Sequence, residues 1–180
     1  MDFAGVLDTV SRFLDGRGFR YALVGAFALS AYGLSRATQD LDLAVDAEAR
    51  HDLVSLLESL GYETLYCSEG YSNHAHPLSG LGRVDCIYVA EPTATSLFES
   101  ATTAPIFGKT VRVPKPEHLA AMKVLAMKND PSRTFREMVD LQFILGLPGV
   151  DTAEIRNHFE RHGLLERFDE LRKILDATGS

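Results

Sequence analysis

Two aspartates separated by one residue are the first feature of this sequence that could do chemistry. Asp40 and Asp42 lie in the segment Asp40–Val45, whose alternation of polar and apolar residues predicts a strand. Alternate side chains of a strand share a face, so the two Cα atoms lie about 7 Å apart with both carboxylates on one side. Mg²⁺ takes oxygen ligands and keeps phosphate and water in its shell, so the pair suits a magnesium site. A solvated acidic strand explains this triplet equally well when it is taken alone.

A third carboxylate, Asp85, stands in the otherwise apolar segment Arg83–Val89, which also predicts a strand. A carboxylate there is costly unless it is paired, bound to metal or facing solvent. If the two predicted strands are neighbours, three carboxylates converge. That is the arrangement of a two-metal site, in which the ions hold the attacking and leaving oxygens of a phosphoryl displacement.

The segment before the acids has features that favour phosphate. Gly25 lies between a short apolar run, Tyr21–Val24, and a predicted helix that ends at Gly33. A helix N-terminus offers unpaired N–H groups and the positive end of a dipole, and glycine lets a ligand approach the backbone closely. Arg36 and Thr38 come just before Asp40 and could contact the same phosphate.

The elements that must position these residues indicate an α/β (α+β) fold, with a small mixed sheet flanked by helices. Helical periodicity opens the chain, strands and helices alternate through the first two thirds, and four helices are predicted over residues 117–128, 132–145, 151–162 and 164–176. Asp151 is the expected N-cap of the third. We expect a single domain over 1–180, with a core over 1–115 and a helical extension over 116–180 packed on it.

The composition argues against a membrane protein and against a protein that binds nucleic acid nonspecifically. The 180 residues are 46% hydrophobic and 24% charged with a net charge of −7, as in an ordinary soluble protein. The acidic balance disfavours nonspecific binding to nucleic acid. The sequence contains no apolar segment of membrane-spanning length and no signal peptide pattern. The two cysteines, Cys67 and Cys86, form no CxxC pair, and a cytoplasmic location is expected.

Residues 24–45 resemble the signature of the DNA polymerase beta nucleotidyltransferase superfamily, in which a strand, a small-residue turn and a helix precede an Asp-x-Asp strand and a later third Asp. Within it the sequence looks most like the AbiEii-type nucleotidyltransferases of abortive-infection and toxin–antitoxin systems. Segments 113–123 and 136–141 are also similar, so the resemblance spans about residues 20–145. The motif of a Gly-Leu-x-Arg-x-Thr run and an Asp-Leu-Asp strand is matched by Gly33, Leu34, Arg36, Thr38, Asp40, Leu41 and Asp42.

The resemblance implies a nucleotidyltransferase fold, an NTP substrate, and Mg²⁺ or Mn²⁺ held by Asp40, Asp42 and Asp85. Asp85 is then expected to orient or deprotonate the attacking hydroxyl. The sequence departs from the family at Ala26, where the family has Gly or Ser. Ala26 keeps the backbone N–H but lacks a hydroxyl, so phosphate binding is expected to be weaker or the donor nucleotide different.

Lys123 and Asp140 are a second pair of opposite charges. Helical spacing places Lys123 among apolar residues, where a lysine ordinarily extends its amine to solvent. Asp140 lies between Val139 and Leu141 and is also expected to be partly buried. The resemblance instead implies that Lys123 contacts the nucleotide phosphates in the active-site cleft, with Asp140 orienting it from behind. Loss of Lys123 should then cost activity far more than stability.

Other motifs fail on spacing. Phe107–Thr110 echoes the end of a P-loop but lacks the upstream glycine, which would fall at Thr103. It is expected to form a hairpin turn within 105–113. His74 and His76 lie in a turn-rich stretch, residues 68–83, and are expected in an exposed loop.

The sequence leaves three alternative functions open. The first is transfer of a nucleoside monophosphate from an NTP to an acceptor hydroxyl of an RNA 3′ end, a protein or a small molecule, as in the toxin of an AbiEii-type system with an antitoxin partner. The second is a non-catalytic nucleotide-binding or antitoxin-like protein of the same fold. The third is an antibiotic-modifying nucleotidyltransferase, whose acidic balance would suit a cationic drug.

Overall fold

A computed structural model describes residues 2–78 and 80–178 of the chain. It divides into two compact units, Met1–Pro114 and Lys115–Ser180, at the place where the sequence predicts the helical extension to begin. The single-domain organisation remains an expectation. The elements in chain order are α1 (Phe3–Arg17), β1 (Tyr21–Leu23), α2 (Gly25–Ala31), β2 (Asp40–Asp46), α3 (Arg50–Ser59), β3 (Glu63–Cys67), β4 (Tyr71–Ala75), β5 (Arg83–Val89), α4 (Thr93–Glu99), β6 (Thr102–Ile106), β7 (Lys109–Val113), α5 (Pro116–Asn129), α6 (Thr134–Leu145), α7 (Thr152–Arg161) and α8 (Leu165–Thr178).

The first unit is built on a five-stranded mixed sheet in the order β1-β2-β5-β4-β3, with β6 and β7 forming a separate hairpin. β2 and β5 pair in parallel, and the other neighbours in the sheet pair antiparallel. The predicted α/β (α+β) class is therefore confirmed. The two strands that carry the three aspartates are adjacent, as the convergence of those acids requires.

The two faces of this sheet differ in burial. On one face, Leu41, Leu43 and Val45 of β2 and Val84 and Cys86 of β5 are fully buried. The opposite face carries Asp40, Asp42 and Asp85, each only partly buried. The alternation that predicts the β2 strand thus separates a hydrophobic core face from an acidic face.

Aromatic rings hold the short helix α2 in place. Phe27 lies edge-on to Phe3, with ring centroids 4.7 Å apart, and edge-on to Phe107 at 4.8 Å. Such edge-to-face pairs are favourable beyond the area they bury. Phe107 sits at the turn of the β6–β7 hairpin, within the predicted turn segment. The hairpin and α1 therefore fix the helix that begins at Gly25.

The second unit consists of the four helices predicted from periodicity, with ends within two residues of those expected. The Asp151 side chain accepts hydrogen bonds from the backbone N–H groups of Ala153 and Glu154, which confirms it as the N-cap of α7. The buried carboxylate of Glu117 on α5 accepts a hydrogen bond from the Asp151 N–H at 2.7 Å. Helices α5 and α7 are thereby tied together.

One part of the sequence-based interpretation is wrong. The stretch 68–83 contains β4, which lies between β5 and β3 rather than forming only turns. His74 on β4 is fully buried, not exposed. Its ring is satisfied inside the protein, because Thr64 Oγ1 lies 3.1 Å from its Nδ1 and Ser72 Oγ lies 2.8 Å from its Nε2.

In the part of the chain that the structure describes, no helix combines the length and apolarity needed to cross a membrane.

Candidate active site

The acidic face is organised by strand register. Asp42 of β2 lies directly opposite Asp85 of β5 in the parallel pairing, and Asp40 lies opposite Arg83. Arg83 Nε is 3.6 Å from Asp40 Oδ1. Residues opposite each other in neighbouring strands project to the same face, so the structure brings the three sequence-predicted aspartates together on one side of the sheet.

Asp85 is held by two side chains that the sequence analysis did not identify. Asn73 Nδ2 donates to Asp85 Oδ1 at 2.7 Å, and the Tyr71 hydroxyl donates to Asp85 Oδ2 at 3.2 Å. Asn73 also donates to the Tyr71 hydroxyl. Asn73 lies opposite Asp85 in the β4–β5 pairing, so the two side chains project to the same face and can form this hydrogen bond. With both oxygens engaged, the carboxylate has a defined orientation.

Burial raises the pKa of the Asp85 carboxyl above its ordinary value, although the hydrogen bond from Asn73 lowers it in part. The negative charge of Asp40 raises it further. Burial, and the charge of Asp85 after it, raise the pKa of the Tyr71 hydroxyl to about 12. Tyr71 therefore stays protonated at neutral pH and remains a donor to Asp85.

Gly25, the first residue of α2, packs against Asp42. Its φ of 62° lies in the left-handed region that favours glycine, and a Cβ built on it would overlap the Asp42 carboxylate at Oδ2. The neighbouring Ala26 is buried, so its contribution to a ligand is limited to its backbone. The structure thus places the predicted small-residue turn directly beside one of the acids.

Arg36 and Thr38 lie in the segment that joins α2 to β2, and both are half-buried. The Thr38 hydroxyl accepts a hydrogen bond from the Asp40 N–H at 3.2 Å and lies 3.3 Å from the Asp40 carbonyl oxygen. Thr38 therefore fixes the backbone where β2 begins. The predicted contacts of Arg36 and Thr38 with phosphate stay predictions.

The three aspartates offer the kind of ligand atoms that a divalent cation binds. Their donors are carboxylate oxygens, which Mg²⁺ prefers, and the effect of Asp40 on Asp85 is a repulsion that a cation relieves. Across residues 2–78 and 80–178, no group of three or more His, Cys, Asp or Glu side chains is arranged to hold a metal ion. Mg²⁺ is usually bound by one or two carboxylates together with substrate phosphates. The acids fit a cation that binds in that way.

The second unit contains the other predicted pair. Lys123 Nζ lies 2.7 Å from Asp140 Oδ2 and 2.8 Å from Glu137 Oε2, and its side chain is only 10% exposed. The amine is therefore paired and buried rather than extended into solvent. Glu137 is fully buried and also accepts from Arg133 at 2.7 Å. Sequence analysis did not single out Glu137, and the role of Lys123 and Asp140 towards a nucleotide stays a prediction.

Comparison with solved structures identifies the fold of this chain. No protein-family model matches the sequence, and no curated protein does. The structure resembles that of ANT(2″)-Ia in complex with adenylyl-2″-tobramycin, with a TM-score of 0.55 and 17% identity, over 98% of this chain and 98% of that one.

Two further solved structures are similar. The lincosamide antibiotic adenylyltransferase LnuA, with lincomycin bound, has a TM-score of 0.54 and 13% identity, over 78% of this chain and 94% of that one. An antigenic nucleotidyltransferase-like protein from Paracoccidioides brasiliensis has a TM-score of 0.54 and 17% identity, over 96% of this chain and 91% of that one. At these identities the likeness shows the fold alone: the chain has the nucleotidyltransferase fold that the motif of residues 24–45 predicts.

Proposed function

We propose that this chain is a metal-dependent nucleotidyltransferase that moves a nucleoside monophosphate from an NTP to an acceptor hydroxyl. The observation that carries the proposal is the register of β2 and β5, which sets Asp42 opposite Asp85 and leaves Asp40 on the same face. A protein that only bound nucleotide would not need a third, hydrogen-bonded carboxylate beside the pair. The fold of the chain supports the same reaction class.

In this proposal Asp40 and Asp42 would hold Mg²⁺ or Mn²⁺ together with the triphosphate, and Asp85 lies beside them on the same face of the sheet. The bound cation supplies positive charge that neutralises the triphosphate and lowers the pKa of the attacking hydroxyl. Gly25 has no side chain and so leaves room for the Asp42 carboxylate at the N-terminus of α2, where we propose that phosphate binds. Arg36 and Thr38 lie near enough in sequence to Asp40 to border the same phosphates.

Asp85 is the base in this proposal. Asn73 and Tyr71 donate to its two oxygens and fix the orientation in which it meets the acceptor hydroxyl. It takes the proton of the acceptor hydroxyl while the hydroxyl oxygen bonds to the α-phosphorus. The bond from that phosphorus to the bridging oxygen breaks, and pyrophosphate leaves.

We keep for Lys123 the role that the sequence predicts, a positive charge that binds a nucleotide phosphate. An ammonium has three N–H donors, and two are directed at Glu137 and Asp140. We assign the third to a nucleotide phosphate. The two carboxylates fix the position of the amine, so that it acts as an oriented point charge.

A small-molecule antibiotic is the acceptor that the comparisons favour. Two of the similar structures are described as antibiotic-modifying or adenylylated-antibiotic complexes, and the net charge of −7 suits a cationic acceptor. The narrower role of an AbiEii-type toxin, with RNA or protein as acceptor and an antitoxin as partner, is supported by the sequence motif alone.

The test combines binding and transfer. Calorimetry with ATP should show binding in Mg²⁺ that is lost in EDTA, and labelled NTPs should transfer label to tobramycin, to lincomycin or to a fraction of a cell extract. Asp42→Asn, which removes charge at constant shape, should abolish transfer and leave the Tm within a few degrees. Asp52→Asn on the surface of α3 is the matched control and should keep full activity. Equal ATP affinity in Mg²⁺ and EDTA would overturn the metal site.

A further inference from the structure

The acidic face continues beyond Asp85 as one row of side chains across four strands. Asp42 lies opposite Asp85, Asp85 opposite Asn73, and Asn73 opposite Tyr66. Residues paired in this way project to the same side of the sheet. The row therefore leads from the acids on β2 and β5 to an aromatic side chain on the edge strand β3.

Tyr66 joins this row only because β3 is irregular. Thr64 pairs with His74, whose side chain lies on the opposite, buried face, and the register shifts between Thr64 and Tyr66. Without that shift, Tyr66 would share the face of Thr64, since residues two apart in a strand point the same way. The bulge at Leu65 turns Tyr66 to the acidic face instead, a device that β-bulges commonly serve beside functional sites.

The aromatic part of the row is open and reaches the acids. The Tyr66 side chain is 56% exposed, and its ring centroid lies 6.3 Å from that of Tyr71. The Tyr71 hydroxyl in turn contacts Asp85. Tyr66 and Asp85 are two strands apart, which corresponds to about 10 Å. A ring that rests on the two tyrosines can place a substituent hydroxyl at the carboxylate.

We propose that Tyr66 and Tyr71 form the platform that binds the acceptor, and that the acceptor is a hydroxylated ring compound without phosphate groups, uncharged or cationic. This inference rests on the proposed function. Aromatic faces bind sugar-like rings through their C–H groups and bind cations through the ring quadrupole.

Charge selects the class of acceptor. The paired rows on this face carry five acids and one arginine: Asp40, Asp42, Asp46, Asp85, Glu63 and Arg83. Arg83 lies beside Asp40, and Asp46 is paired with Arg20. A polyanionic acceptor such as an RNA end would meet this charge together with the triphosphate. An uncharged or cationic ring meets no such repulsion.

The test measures acceptor binding separately from nucleotide binding. Tobramycin is the cationic ring probe and lincomycin the second probe, titrated by calorimetry into protein saturated with Mg²⁺ and a non-hydrolysable ATP analogue. Tyr66→Ala should weaken the Kd of the bound probe about tenfold and leave the affinity for the ATP analogue unchanged. Tyr66→Phe, which retains the ring, should bind nearly as the wild type does.

Leu65→Ala is the matched control, because Leu65 is 55% exposed, adjacent in sequence and not part of the row. It should leave probe binding unchanged. The platform is overturned if neither probe binds while the ATP analogue does, if Tyr66→Ala binds the probe as the wild type does, or if an oligoribonucleotide ending in CCA binds in place of the probes. Failure of the ATP analogue itself to bind would instead refute the proposed function.

Discussion

Gly25 and Asp42 lie in contact, and the Asp42 carboxylate occupies the space that a side chain on Gly25 would fill. The contact joins the turn before α2 to the strand that carries Asp40 and Asp42. Asp42 is in turn set opposite Asp85 by the β2–β5 register. The small-residue turn is therefore a structural requirement of the acidic site.

Gly25→Ala tests this contact. The substitution forces a non-glycine residue to a φ of 62° and displaces the Asp42 carboxylate, so we expect a loss of stability of about 1–3 kcal/mol and a fall in transfer rate of roughly 100-fold. Gly16→Ala is the control, because a Cβ there meets nothing within 4 Å and the position is in helix α1. It should be neutral or stabilising by about 0.5–1 kcal/mol. Full activity in Gly25→Ala would show that Asp42 does not depend on the turn.

Strand alternation and spacing were sufficient to predict that Asp40, Asp42 and Asp85 share one face of the sheet. Asp42 and Asp85 are flanked by apolar residues and Asp40 is followed by Leu41, and burial of those neighbours on one face turns the carboxylates to the other. The helices of the second unit were predictable for a similar reason, since their buried positions recur at helical spacing.

The supporting residues could not be predicted in the same way. β4 carries Tyr71, Ser72, Asn73 and His74, which read as polar and turn-like, and only tertiary hydrogen bonds make their burial favourable. Tyr66 depends on a bulge that changes the face of the strand, and no local pattern specifies that change. One local pattern does indicate a strand here: the buried residues Ser72 and His74 alternate with the half-buried Tyr71 and Asn73.

Asn73→Ala tests the positioning of Asp85. The variant removes the 2.7 Å donor to Asp85 Oδ1, so the carboxylate loses its fixed orientation, and we expect kcat to fall about 10- to 100-fold with unchanged affinity for ATP. Steady-state kinetics and calorimetry measure the two effects. Asn157→Ala on the exposed face of α7 is the control. A wild-type kcat in Asn73→Ala would show that Asp85 needs no support from Asn73.

The buried histidine of β4 gives the fold a pH dependence. Burial lowers the pKa of His74, although the charge of Glu58 opposes this, and Thr64 and Ser72 hydrogen bond its ring. The unfolded chain therefore binds a proton at His74 at higher pH than the folded chain does. The free energy of unfolding should fall as the pH drops below about 6.5, the ordinary histidine pKa, and stay level above it.

His74→Gln should reduce this slope, measured by urea unfolding at pH 7.5 and 5.5, and should cost about 1–3 kcal/mol at pH 7.5, because it disrupts a buried hydrogen-bond network. Burial also lowers the pKa values of His118 and His158, so part of the slope should persist in the variant. Ser72→Ala keeps His74 and is the control: it should lose stability yet keep the pH dependence. The same slope in His74→Gln and the wild type would refute the assignment.

Lys123 lies between two buried carboxylates, which changes what its loss should do. Glu137 is fully buried and Asp140 is 2% exposed, so removal of the ammonium leaves both charges in a poorly solvated place. We therefore expect Lys123→Met to cost about 3–5 kcal/mol in addition to activity, in contrast to the small stability effect expected from sequence. Thermal and urea unfolding measure this cost.

A double-mutant cycle separates the pair from the burial of each group. Asp140→Asn in the Lys123→Met background removes one of the two buried negative charges, so the double variant should be more stable than the sum of the single losses predicts by about 1–3 kcal/mol. Arg133→Ala provides the comparison, because Arg133 contacts the same Glu137 but its side chain is 45% exposed, and its loss should cost less. Lys123→Arg retains the charge and should preserve most stability, and a fall in its ATP affinity would then report the contact between the amine and the phosphates. Additive losses in the cycle would show that Lys123 and Asp140 do not act as a pair.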